Sequence, residues 1–71
     1  MYRILCDTKG DNPTTQHLVR RANGSYAWEL SNDKDFAAFD TMMEAHIVMK
    51  RMAAAMELSS IYHQPYLDWV R

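Results

Sequence analysis

The sequence predicts a small α+β domain in which one antiparallel sheet is covered on one face by a single helix, in the order strand, hairpin, helix, strand, a ββαβ or βββαβ arrangement. Three observations predict it. "YRILCD" and "HLVRRANGSYAWEL" alternate apolar and polar residues, the second around an Asn23-Gly24 turn. "FDTMMEAHIVMKRMAAAM" repeats apolar residues at helical spacing, and "IYHQPYLDWV" returns to alternation.

The first strand, Tyr2 to Asp7, places Tyr2, Ile4 and Cys6 on one face and Arg3, Leu5 and Asp7 on the other. "TKGDNPTTQ" follows as a loop, with Gly10, Asp11, Asn12 and Pro13 supplying turn chemistry. Asn23-Gly24 suits both φ > 0 positions of a type I′ turn. Closing that turn on Ala22 and Ser25 sets Arg21 opposite Tyr26, Val19 opposite Trp28 and His17 opposite Leu30. The predicted core face carries Val19, Tyr26, Trp28 and Leu30, with Arg21 across the Tyr26 ring; the other face, with Arg20 and Glu29, is solvated apart from Leu18.

After the connector "SNDKDFAAF", Thr41 and Glu44 form a capping box, so the helix is predicted to start near Met42 and to end at Glu57 or Leu58. The last segment contains Pro65, which cannot donate a ladder bond, and is predicted as an edge strand or a strand interrupted there.

The helix carries two apolar stripes. At about 100° per residue, Met42, Ala45, Met49, Met52, Ala53 and Met56 share one arc with Val48 at its edge, and this is the predicted core face. Met43, Ile47, Ala54 and Leu58 form a second, narrower stripe roughly 140 to 180° away, bordered by Lys50, Arg51 and Glu44. A sheet with one helix cannot bury both. An aligned apolar group rimmed by charge marks a contact surface, so Met43, Ile47, Arg51 and Ala54 are candidate partner-binding residues.

With 71 residues the chain makes one domain, residues 1–71, and a chain of this length buries only about 60% of its unfolded surface. Cys6 is the only cysteine, which excludes an internal disulfide and leaves self-association or a tight partner as the ready source of added stability. The formal net charge is −1, against the basic excess of a nonspecific nucleic-acid binder. Charge is uneven, however: Glu29, Asp33, Asp35, Asp40 and Glu44 face only Lys34 as a base between positions 29 and 44. These five acids are the second group of candidate partner-binding residues. The opening "MYRILCDTKG" does not read as a signal peptide and no apolar run reaches the roughly 20 residues of a membrane span, so a cytoplasmic protein is expected.

Chemistry is sparse. Cys6, His17, His46 and His63 show no CxxC or HxxxH spacing, so no metal or other cofactor is expected. A Cys6–His17 or Cys6–His63 nucleophile pair lacks helper groups, and no glycine-rich phosphate loop is present, so no enzymatic activity is expected. The alternative function is a small nucleic-acid-binding regulator using Arg20 and Arg21 of the hairpin beside Tyr26 and Trp28.

"FDTMMEA" followed by an apolar helix and a tyrosine-rich last strand resembles a pattern of very small phage and prophage proteins, in which a hairpin precedes F-x-[S/T]-x-x-E-A and a covering helix. Several anti-CRISPR and other anti-defence inhibitors share this general build, and the resemblance covers roughly residues 26–70. It implies a stoichiometric binder that blocks a host protein or ribonucleoprotein complex in the host cytoplasm, and carries over no contact residue. A homodimer is the other arrangement the second stripe would serve.

Overall fold

The computed structural model describes residues 1–56 and 60–71. It contains β1 (Tyr2–Asp7), β2 (Thr15–Arg20), β3 (Tyr26–Leu30), α1 (Met42–Met56) and β4 (Tyr66–Trp69). The strands form one antiparallel sheet in the order β3-β2-β1-β4, so β1 and β2 are central and β3 and β4 are the edges. This is the α+β arrangement predicted, with α1 packed over β1 and β4. The predicted helix end at Glu57 or Leu58 lies outside the described residues. No helix among the described residues is long and apolar enough to cross a membrane.

The core lies between α1 and the sheet. Ile4, Leu18, Ala37, Phe39 and Ala45 are buried there, with Tyr2, Tyr26, Trp28, Val48, Met49, Met52 and Leu67 packed around them. Thr41 caps the helix as predicted, its Oγ1 accepting the Glu44 N–H at 3.2 Å. Pro65 interrupts the last segment: Tyr62 bridges to Thr8, and the chain rejoins β1 only at Tyr66. Such an interruption follows from the missing N–H of proline.

The hairpin departs from the predicted register by one residue. Arg20 is opposite Tyr26, Leu18 opposite Trp28 and His17 opposite Glu29. Only Gly24 of the turn has positive φ, at 86°, whereas a type I′ turn needs it at Asn23 as well. Asn23 instead accepts the Ser25 N–H on its own Oδ1 at 3.0 Å, a side-chain turn that the type I′ geometry would forgo. Gly24 N–H donates to the Arg21 carbonyl and Arg21 N–H to the Ser25 carbonyl. The result is a three-residue loop with a glycine bulge, and the extra residue reverses the faces of β2.

Leu18 and Arg20 therefore face the helix, and Val19 and Arg21 do not. Arg20 lies over the Tyr26 and Phe39 rings, 5.4 and 5.6 Å from their centroids, the place predicted for Arg21. Leu30 lies on the helix-side face of β3 but remains exposed at the edge, beyond the reach of α1. Met42 corrects the predicted helix stripe in the same way: it is 57% exposed in the first turn, and burial begins at Ala45. No side chain approaches a Cβ built on Gly24, so Gly24→Ala is expected to cost about 1 kcal/mol from positive φ alone. Urea denaturation measures it, and an unchanged midpoint would contradict the bulged turn.

The second face of the sheet is not the solvated surface predicted. The connector from Ser31 to Ala38 forms a strap across it. Phe36 packs against His17 with ring centroids 6.0 Å apart, while Arg3 lies 5.3 Å from the Phe36 centroid. Beyond Phe36 the strap enters the gap where β1 and β2 diverge. Ala37 N–H donates to the Leu18 carbonyl at 2.8 Å, and Phe39 and Tyr2 exchange backbone bonds of 2.8 and 2.9 Å. Phe39 then emerges on the helix side, near Tyr26. The chain thus passes from one face of the sheet to the other between its central strands, burying Leu5, His17 and Val19 on the strap side.

Candidate interaction surface

The second helix stripe is exposed. Around the α1 wheel, Ala45 is fully buried, and the position opposite is occupied by Ala54 between Met43 and Ile47. Met43 is 74% and Ile47 50% exposed, and Ala54, Lys50, Arg51 and Glu44 are exposed around them. Leu58, predicted as the fourth member, lies outside the described residues. The sheet holds the other side of the helix, which presents this stripe outward on a rigid element.

The acidic residues are all exposed but do not form one patch. Glu29 and Asp35 line an open cleft of about 540 Å³ on the strap side, together with Arg21, Phe36 and Ala38. Arg21 sits 3.8 Å from Glu29, an exposed pair that contributes little to stability. Asp33 lies in the strap's first turn, where Asn32 Oδ1 accepts the N–H groups of Lys34 and Asp35 at 2.8 and 3.0 Å. Asp40 and Glu44 lie after the crossing, at the start of the helix, where acids favour the positive end of its dipole. Only this last pair adjoins the apolar stripe.

Arg20 and Arg21, the basis of the nucleic-acid alternative, are separated by the sheet. Arg20 donates to the Tyr26 hydroxyl at 3.0 Å on the helix side, and Arg21 approaches Glu29 on the strap side. Among the described residues, no three of His, Cys, Asp and Glu are placed to share a metal ion. Cys6 is buried, and burial together with Asp7 pushes its thiol up to about 11. A neutral thiol is a poor nucleophile, so iodoacetamide at neutral pH is expected to label Cys6 only after denaturant is added. Rapid labelling of the folded chain would contradict that burial.

Sequence reasoning missed the strap and two side chains that hold it. Arg3 donates through Nε to Asp68 at 2.8 Å and through Nη1 to the Asn32 carbonyl at 3.1 Å, linking β1, β4 and the strap. Its side chain is 16% exposed and that of Asp68 38%, so Arg3→Ala is expected to cost about 1 to 2 kcal/mol once solvent screening is allowed for. A urea midpoint unchanged from the parent would show the clamp to be dispensable. His17 is fully buried beside Phe36, and neither ring nitrogen has a hydrogen-bond partner among the described residues. Burial lowers its pKa and Arg3 adds to that, while Glu29 and Asp35 act in the opposite sense. The signal available in the sequence was the alternation at His17 and Val19, which allowed either face.

The chain matches no protein-family model, no curated protein and no solved structure. The fold and its surface therefore define a class alone: a small α+β domain with one helix face left uncovered.

Proposed function

We propose that this chain is a non-enzymatic protein-interaction module, a phage-encoded inhibitor that blocks a host defence complex by stoichiometric binding in the host cytoplasm. The observation that carries the reading is the exposed Met43–Ile47–Ala54 stripe, set opposite the buried helix face and adjoining Asp40 and Glu44. Contiguous apolar surface rimmed by charge marks contact sites more often than it occurs idly. Arg51 extends this surface with a polar contact, while the exposed strap-side acids Glu29, Asp33 and Asp35 form a second, separate group of contacts across the sheet. The resemblance of "FDTMMEA" and its flanks to small anti-defence proteins supplies the inhibitor class.

Expression of the chain in a bacterium with an active defence system should restore plating of a phage that the system restricts. Affinity capture from those cells should recover the inhibited complex. Ile47→Glu, which changes an exposed position, should retain the parent circular dichroism while losing capture and protection together. No protection against any of a panel of defence systems would remove the inhibitor reading.

A further inference from the structure

We propose that the exposed stripe of α1 packs against the same stripe of a second copy of this chain, with the two helices antiparallel. This rests on the reading of the stripe as an interface and gives it to a second copy, so that the dimer meets the host complex through its remaining surface, including the exposed strap-side acids Glu29, Asp33 and Asp35.

The spacing carries the first part of the argument. Along the outward face, Met43, Ile47, Lys50 and Ala54 follow one another at intervals of four, three and four residues. That is the alternation of a two-helix seam, in which side chains from one helix enter gaps on the other. The core residues Ala45, Met49, Met52 and Met56 lie on the opposite side, so pairing through the seam leaves the packing against the sheet untouched.

Charge supplies the second part and selects the orientation. Glu44 and Arg51 flank the seam on the same side, one heptad apart. With a two-fold axis between Ile47 and Lys50, Met43 meets the partner's Ala54 and Ile47 meets the aliphatic stem of the partner's Lys50. Glu44 then meets the partner's Arg51, and the symmetry makes this pair twice. A parallel pair would instead stack Lys50 on the partner's Lys50 and bring His46 beside the partner's Arg51. Antiparallel packing moves the two Lys50 side chains into separate layers and His46 away from the partner's Arg51, and opposed helix dipoles favour it further. The face is thus self-complementary in both spacing and charge.

The seam spans three helical turns, well short of the roughly 800 Å² per partner of a standard stable interface. A weak, concentration-dependent dimer is expected. Sedimentation equilibrium at low salt, from micromolar to millimolar chain, should show the mass rising from 8.3 kDa toward twice that value. Glu44→Arg alone and Arg51→Glu alone should each weaken the dimer roughly tenfold by turning both flanking pairs repulsive. The double variant should recover it, and so should an equimolar mixture of the two single variants.

A parent chain that stays at 8.3 kDa throughout would overturn the proposal. So would single variants that associate as the parent does, or a double variant that fails to recover. Defence inhibition by a strictly monomeric chain would sink the dimer while leaving the inhibitor reading intact. A dimer that protects no phage would do the reverse.

Discussion

Phe39→Ala is expected to lower stability by about 3 to 5 kcal/mol. The phenylalanine is 3% exposed, lies in the core with Ile4, Leu18 and Ala45, and stacks at 6.4 Å on Tyr26. Three effects coincide there. Truncation removes buried apolar surface, leaves a cavity that neighbouring side chains only partly refill, and takes away the ring over which Arg20 lies. Its backbone also joins Tyr2 in the gap between β1 and β2, so the ring anchors the point where the strap crosses the sheet. Against a total of about 4 to 10 kcal/mol for a domain of this size, such a loss is at least about a third of the whole. Far-ultraviolet circular dichroism and urea denaturation measure it. Phe36→Ala, on the half-exposed strap side, should be milder, and equal effects at the two positions would contradict a crossing anchored at Phe39.

The second large effect is on pH dependence. His17 is buried without a partner for either ring nitrogen among the described residues, so the folded state favours the neutral ring and holds its pKa below the ordinary value. In the unfolded chain the same ring titrates near about 6.5. Below that pH the unfolded state binds the extra proton first, and stability falls as acid is added. Above it both states are neutral and His17 contributes no slope. The loss accumulates at up to about 1.4 kcal/mol per pH unit until the folded ring also protonates. Urea midpoints compared between about pH 7.5 and pH 5 should therefore drop in the parent. His17→Leu should flatten that dependence. A slope of the same size in the variant would assign the effect elsewhere.

Both effects originate in the strap, and it is the strap that the amino-acid order conceals. Ser31 to Asp40 has neither period two nor period 3.6, so its polar residues read as a connector. Its cover over His17 and Val19 depends on β1 and β2 diverging far enough to admit Ala37 and Phe39, a property of the assembled sheet. The acids illustrate the consequence. Drawn from one 16-residue stretch, Glu29 and Asp35 end beside the strap-side cleft, while Glu44 stands on the helix across the sheet.

Other features are set by interactions within a few residues and are legible without the fold. Alternation delimits β1 at Tyr2–Asp7, and the Thr41 cap starts α1 at Met42. Helical spacing alone places Met43, Ile47 and Ala54 opposite Ala45, and the structure leaves them exposed. The hairpin marks the boundary. Asn23-Gly24 announces a turn, but a two-residue and a three-residue loop differ in energy by little more than one backbone conformation. That small difference decides a large one, because a shift of one residue exchanges Leu18 for Val19 and Arg20 for Arg21 across the sheet. Local periodicity thus determines the elements and the outward helix stripe. Burial against Trp28, Phe39 and the helix decides which face of β2 turns inward, because only the assembled layers distinguish the two registers.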